Sequence, residues 1–125
     1  MTDFLYEELS YKIIGVLFEV HKKLGKGFAE IVYKDAIEYE FLHNEIHFER
    51  EHEYAVSYKD TILRHKFYAD FVVDNRMILE IKAVESLTDT HISQCLNYLK
   101  VSGNKLALLA NFNKKSLEYK RIISK

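Results

Sequence analysis

Asp70, Glu80 and Lys82 sit on segments whose other positions read as core strand, and that conflict marks where this chain can do chemistry. Two carboxylates held close in apolar surroundings repel, so one takes a proton unless a cation lies between them. A hard divalent ion such as Mg²⁺ or Mn²⁺ removes the conflict, because it takes oxygen ligands and keeps exchangeable waters. A lysine beside such a pair can orient or help deprotonate an attacking water and stabilise developing negative charge. That set suits phosphodiester hydrolysis. The same three residues also fit a cross-strand charge cluster on a solvated sheet face, with Lys82 pairing both acids.

Everything depends on how the flanking segments pair. Residues 65–74 and 76–84 are β-rich and flank an Asp-Asn-Arg break, which predicts a tight antiparallel hairpin. Alternation sends Met77, Leu79, Ile81 and Ala83 to one face and Ile78, Glu80 and Lys82 to the other. On the first strand Tyr68, Asp70 and Val72 share a face, with Ala69, Phe71 and Val73 opposite. A loop of Asp74, Asn75 and Arg76 pairs Val73 with Met77 and sets Asp70 opposite Glu80, with Cβ atoms about 4.5–5.5 Å apart. A two-residue loop would send the acids to different faces, so the chemistry requires an odd loop.

At 125 residues the chain predicts one domain, 1–125, large enough for a core without staples. With 48% hydrophobic and 14% aromatic residues, it reads as globular rather than disordered. A net charge of −1 excludes an overall basic nucleic-acid binder, leaving local patches or bound cations to do that work. The single cysteine, Cys95, fits a reducing cytoplasm and reads as a buried thiol rather than a nucleophile. The acidic start MTDFLYEELS and the lack of a long apolar run argue against a signal peptide or membrane span, so no membrane partner is expected.

Helical spacing of Leu5, Leu9, Ile13, Val16, Leu17, Val20 and Leu24 predicts a helix over 4–24, ended by Gly25 and Gly27. A second helix is expected over 28–43, with Ile31, Ala36, Ile37, Tyr39 and Phe41 as core contacts. At its start Gly27, Glu30 and Tyr33 stack three apart, and Glu30 also suits a helix N-terminus electrostatically. Residues 47–58 predict a charged strand whose Glu49, Glu51 and Glu53 mark a solvated face, followed by a turn at Lys59, Asp60 and Thr61. After the hairpin come a helix over 87–101 with Thr88 as N-cap, a doubly buried strand over 105–112, and an edge strand or short helix over 117–123. This order is α/β: an α-β-β-β-α-β core as a mixed sheet with helices packed on it, preceded by an extra N-terminal helix.

That order with a D…ExK hairpin resembles the PD-(D/E)xK nuclease superfamily, whose core is restriction-endonuclease-like. Gly27-Phe-Ala-Glu30-Ile-Val-Tyr33 is similar to the signature that names the GxxExxY family. Tyr68-Ala-Asp70-Phe, Glu80-Ile-Lys82-Ala-Val-Glu, Gln94-Cys-Leu-Asn-Tyr98 after His91, and Leu109-Ala-Asn-Phe match its later blocks, so the likeness runs over roughly 21–112. The resemblance implies Asp70 and Glu80 as metal ligands, joined by the Ile81 carbonyl, and Lys82 as the superfamily lysine. It implies that Glu30 completes the metal shell or holds a metal water, and that Gln94 and Tyr98 form the QxxxY pair of RecB-like nucleases, with Gln94 touching phosphate or fixing Lys82. Tyr33, Tyr98 and His91 are the candidate substrate contacts. Ala69 stands where the superfamily name has proline.

The expected function is therefore a Mg²⁺- or Mn²⁺-dependent nuclease acting on nucleic acid, DNA ahead of RNA, with a homodimer or larger assembly as the candidate oligomer. Lys22, Lys23, Lys26, Arg64 and Lys66 are candidate phosphate contacts, and His21 reads as a helix-end charge. Two rivals remain: a catalytically silent nucleic-acid or protein binding module that keeps the fold, and a subunit active only in an assembly joined through 47–58.

Overall fold

The structure, a computed structural model, describes residues 6–124. Its elements run α1 (Glu7–Leu24), α2 (Glu30–His43), β1 (Phe48–Tyr54), β2 (Ser57–Tyr58), β3 (Thr61–Ile62), β4 (Phe67–Val73), β5 (Met77–Lys82), α3 (Asp89–Ser102), β6 (Leu106–Asn111) and β7 (Glu118–Ile123). Phe4 and Leu5, expected to begin α1, lie outside the described residues. The α/β class is as expected: a five-stranded mixed sheet of order β1-β4-β5-β6-β7, with helices on both faces. Only β5 and β6 run parallel, and α3 is the helical crossover that a parallel pair requires.

Each helix forms because its apolar positions repeat at helical spacing. Ile13, Val16, Leu17 and Val20 bury one side of α1, its acids Glu7 and Glu8 lie in the first turn, and His21, Lys22 and Lys23 lie in the last. Gly25, at φ +69°, then turns the chain away. Along α2 the buried line is Tyr33, Ile37 and Phe41. Ile31 and Tyr39 were expected in the core but are 54% and 57% exposed, because they lie off that line. Thr88 caps α3 as expected, with a reciprocal bond from its own amide to the His91 ring.

Two cores sandwich the sheet. Between it and α1/α2 lie Leu17, Tyr33, Ile37, Phe41, Phe71, Leu79 and Phe112. Between it and α3 lie Ala69, Val72, Ile78, Cys95, Tyr98 and Leu99. β5 is central and buried on both faces, which is why Glu80 keeps only 2% of its surface.

The hairpin has the odd loop, with Val73 opposite Met77, Val72 opposite Ile78 and Phe71 opposite Leu79. Alternation on β4 differs from expectation. Phe71 and Val73 face α1/α2, yet Ala69 packs with Val72 against α3, so the strand rolls over at Asp70. β1 rolls with it: the ladder pairs Arg50 with Phe71 and His52 with Ala69, skipping Glu51 and Asp70 between them. Glu51 carries the turn at φ +53°, in the left-handed region that residues with a Cβ seldom enter. The expected strand 47–58 is likewise broken, since Ser57–Tyr58 leaves the main sheet to pair with Thr61–Ile62. Of the either-or reading for 117–123, the strand is correct: β7 runs antiparallel along β6 at the sheet edge. Among the described residues no helix is long and apolar enough to cross a membrane.

Candidate active site

Past the Phe71–Leu79 pair, one further step of the hairpin brings Asp70 and Glu80 face to face, and there side chains take over from the ladder. The Asp70 amide donates to Glu80 Oε2 at 2.7 Å, and the Ile81 amide donates to Asp70 Oδ2 at 2.8 Å. Each carboxylate thus accepts from the backbone of the opposite strand, which fixes both side chains without a metal.

The charge balance is incomplete. Burial, reinforced by the neighbouring Asp70 charge, pushes the Glu80 carboxyl from 4.5 up to about 8, against the opposing pull of the Asp70 amide, Lys82 and Lys34. Near neutral pH Glu80 therefore holds a proton. Asp70 is paired instead: Lys34 Nζ lies 3.0 Å from its Oδ1 and 2.5 Å from Glu51 Oε1. Burial works against the Lys34 charge, but its bonds to Glu51 and Asp70 outweigh that and raise its pKa above the ordinary lysine value.

Lys82 follows Glu80 on the α3 side of β5 and donates to Gln94 Oε1 at 3.0 Å. Glu30, the first residue of α2, accepts from the Ala83 amide at 3.3 Å. Four of the five residues expected to act chemically thus meet in two bonded pairs, Asp70 with Glu80 and Lys82 with Gln94, and Glu30 rests on the strand end beside them. Glu30 does not, however, close a three-acid cage: among the described residues no three His, Cys, Asp or Glu side chains converge as a metal site. Ile81 contributes its amide to Asp70 in this arrangement.

The candidate substrate contacts are placed differently. Tyr33 is fully buried, stacks on Phe112 at 4.6 Å, donates its hydroxyl to the Gly25 carbonyl at 2.7 Å and accepts from the Phe28 amide at 3.2 Å. It latches the turn between α1 and α2, in which Gly27 adopts φ +106°. The GxxExxY spacing thus describes a latched turn that delivers Glu30 to the sheet. Tyr98 is 6% exposed and packs edge-on against Phe67, so it is part of the core beneath the site. His91 closes the α3 cap through its Nδ1, which accepts from the Thr88 amide at 3.0 Å. His21 bonds the Lys114 carbonyl at 2.8 Å rather than meeting the site.

Sequence reasoning missed Lys34 and Glu51. Lys34 is four residues after Glu30, one helical turn on, so a search for cations beside the acid would have found it. Glu51 had no such signal, because its approach depends on the roll of β1. Behind these residues, buried Asn111 holds the chain leaving β5: its Oδ1 accepts from the Val84 amide at 3.0 Å and its Nδ2 donates to the Val84 carbonyl at 2.9 Å.

A family model described as the PD-(D/E)XK nuclease superfamily matches residues 7–122. A search of curated proteins gives no match. Among solved structures, the crystal structure of SSO0001 is similar with a TM-score of 0.62 and 18% identity, over 74% of this chain and 48% of that one. An alkaline exonuclease, LHK-Exo from Laribacter hongkongensis, matches with a TM-score of 0.43 and 13% identity, over 70% of this chain and 52% of that one. The chain spans about half the length of each of these structures.

Proposed function

The chain belongs to the PD-(D/E)XK nuclease superfamily, and on that premise we propose that residues 1–125 form one nuclease-like domain of the GxxExxY type that hydrolyses phosphodiester bonds, with DNA as substrate ahead of RNA and the cytoplasm as its setting. The observation that carries this reading is the reciprocal bonding of Asp70 and Glu80 with Lys82 two residues on along the same strand. Members of this superfamily generally use divalent metals, and the donor set fits one. Two carboxylates meet at one point, and burial keeps one of them neutral, a conflict that a hard divalent cation relieves. Asp70 and Glu80, with the Ile81 main-chain oxygen, would hold Mg²⁺ or Mn²⁺.

Bound there, the ion would supply Lewis-acid stabilisation of charge on the scissile phosphate. Lys82, aimed by Gln94, orients the attacking water or takes its proton at Nζ, and stabilises charge on the phosphate oxygens. Gln94 positions the lysine. Glu30, delivered by the latched turn, offers a carboxylate at the strand end for an ordered water.

The test is cleavage of DNA and RNA with Mg²⁺ or Mn²⁺, against chelator and against Lys82→Ala. Metal-dependent cleavage lost in that variant supports the reading, and equal background in both proteins overturns it. A silent binding module is the second reading, favoured by the absence of a three-acid cage among the described residues. Nucleic-acid binding without turnover would establish it.

A further inference from the structure

Lys34 projects from α2 into the roll of β1 and β4, and its side chain is only 12% exposed. Asp70 has two carboxylate oxygens. Oδ2 is taken by the Ile81 amide, and Oδ1 is the oxygen that Lys34 holds. Each oxygen keeps a free lone pair, but a divalent ion ligated by Asp70 would lie within a few ångströms of the Lys34 ammonium, and the two cations repel. Glu51 offers the ammonium a second carboxylate at 2.5 Å and is itself 48% exposed. It does so from a left-handed position in the middle of β1, opposite Asp70. A backbone held in a sparsely populated region beside a site is where strain and function tend to coincide.

We propose that Lys34 is a resident counter-cation of this site, a positioning residue that holds Asp70 in the metal-free protein and is taken over by Glu51 when a divalent ion binds. The inference rests on the reading that Asp70 and Glu80 bind such an ion. It makes Glu51 an accessory of the site that acts only through Lys34, which a plain surface ion pair would not be. It also sets a limit on metal affinity, because each binding event works against the ammonium that Asp70 holds.

The test is calorimetric titration of Mn²⁺ into the whole chain and into Lys34→Met, Glu51→Gln and the double variant, with thermal melts to confirm folding. Lys34→Met should bind Mn²⁺ about fivefold tighter or more, and Glu51→Gln about threefold weaker. In the Lys34→Met background, Glu51→Gln should have almost no effect. Unchanged or weaker binding in Lys34→Met, or additive effects of the two substitutions, overturns the proposal. If Lys34→Met does not fold, Lys34→Gln takes its place in the cycle with the same expected signs. Failure of the unsubstituted chain to bind Mn²⁺, or equal binding after Asp70→Asn, overturns the metal reading and this inference together. Binding that Asp70→Asn abolishes but Lys34→Met leaves unchanged overturns this inference alone.

Discussion

Lys82 and Gln94 are bonded across two elements, with Nζ of the β5 lysine 3.0 Å from Oε1 of the α3 glutamine. The helix that completes the parallel crossover thus also aims the amine. Without Gln94 the lysine loses its direction, and misplacement of a positioned group costs rate more than binding. Gln94→Ala should therefore lower kcat for metal-dependent cleavage by about 10²-fold with KM little changed, while Lys82→Ala should cost more. Steady-state kinetics on one oligonucleotide checks this, and a Gln94→Ala enzyme with intact kcat would refute the positioning role.

Glu80 makes the stability of the metal-free protein depend on pH. Its folded pKa is raised to about 8 while the unfolded value stays near 4.5, so across that window the folded state keeps a proton that the unfolded chain has lost. Its stabilising contribution is complete below about pH 4.5 and is lost as the pH rises to about 8, by at most about 1.4 kcal/mol per pH unit. Thermal melts in chelator should show the loss, and Glu80→Gln should flatten that part of the profile relative to the unsubstituted chain. Identical pH profiles for the two proteins would contradict it.

The Tyr33 hydroxyl donates to the Gly25 carbonyl and accepts from the Phe28 amide, so Tyr33→Phe leaves two backbone groups of the turn without their partner. The ring remains stacked on Phe112, which confines the loss to the hydroxyl. The expected cost is about 1–3 kcal/mol, measured by urea unfolding. The turn ends at Glu30, so hydrogen exchange at the Ala83 amide should also accelerate. Unchanged stability would show that water replaces the latch.

The facing of Asp70 and Glu80 was legible because two simple rules meet there: a period of two along each strand, and a loop of odd length. Both depend only on local sequence. The roll at Asp70 was not legible, because nothing in Glu51 announces a left-handed backbone, and that conformation falls where the β1–β4 ladder skips a pair. Glu51 was missed for the same reason, whereas Lys34, one helical turn after Glu30, was within reach of the sequence. Tyr33 shows a different limit: its spacing from Glu30 could be read directly, but spacing does not distinguish a hydroxyl aimed at substrate from one that latches a turn. On α2, Ile31 and Tyr39 misled because apolar residues occur around much of the helix, and only the line Tyr33, Ile37 and Phe41 meets the sheet.

Asn111 gives the last prediction, because it is fully buried and uses both ends of its amide. Oδ1 accepts from the Val84 and Asn113 amides at 3.0 and 3.2 Å, and Nδ2 donates to the Val84 carbonyl at 2.9 Å and to Glu118 Oε1 at 3.1 Å. The bond from Asn111 holds the Glu118 carboxyl below its ordinary pKa, so Glu118 is charged at neutral pH. Asn111→Leu keeps the volume but removes every partner, and should cost at least about 2 kcal/mol. Asn111→Asp keeps the acceptor side and replaces the donor with an oxygen facing both a carbonyl and a carboxylate. Its neutral form still donates once, whereas its ionised form is repelled on both sides, so the introduced carboxyl has a raised folded pKa. The stability gap between Asn111→Asp and the unsubstituted chain should therefore widen as the pH rises through and above the ordinary carboxylate range. Urea unfolding at a series of pH values measures that gap, and a gap that stays constant or narrows with rising pH would show that the Asn111 amide donor is dispensable.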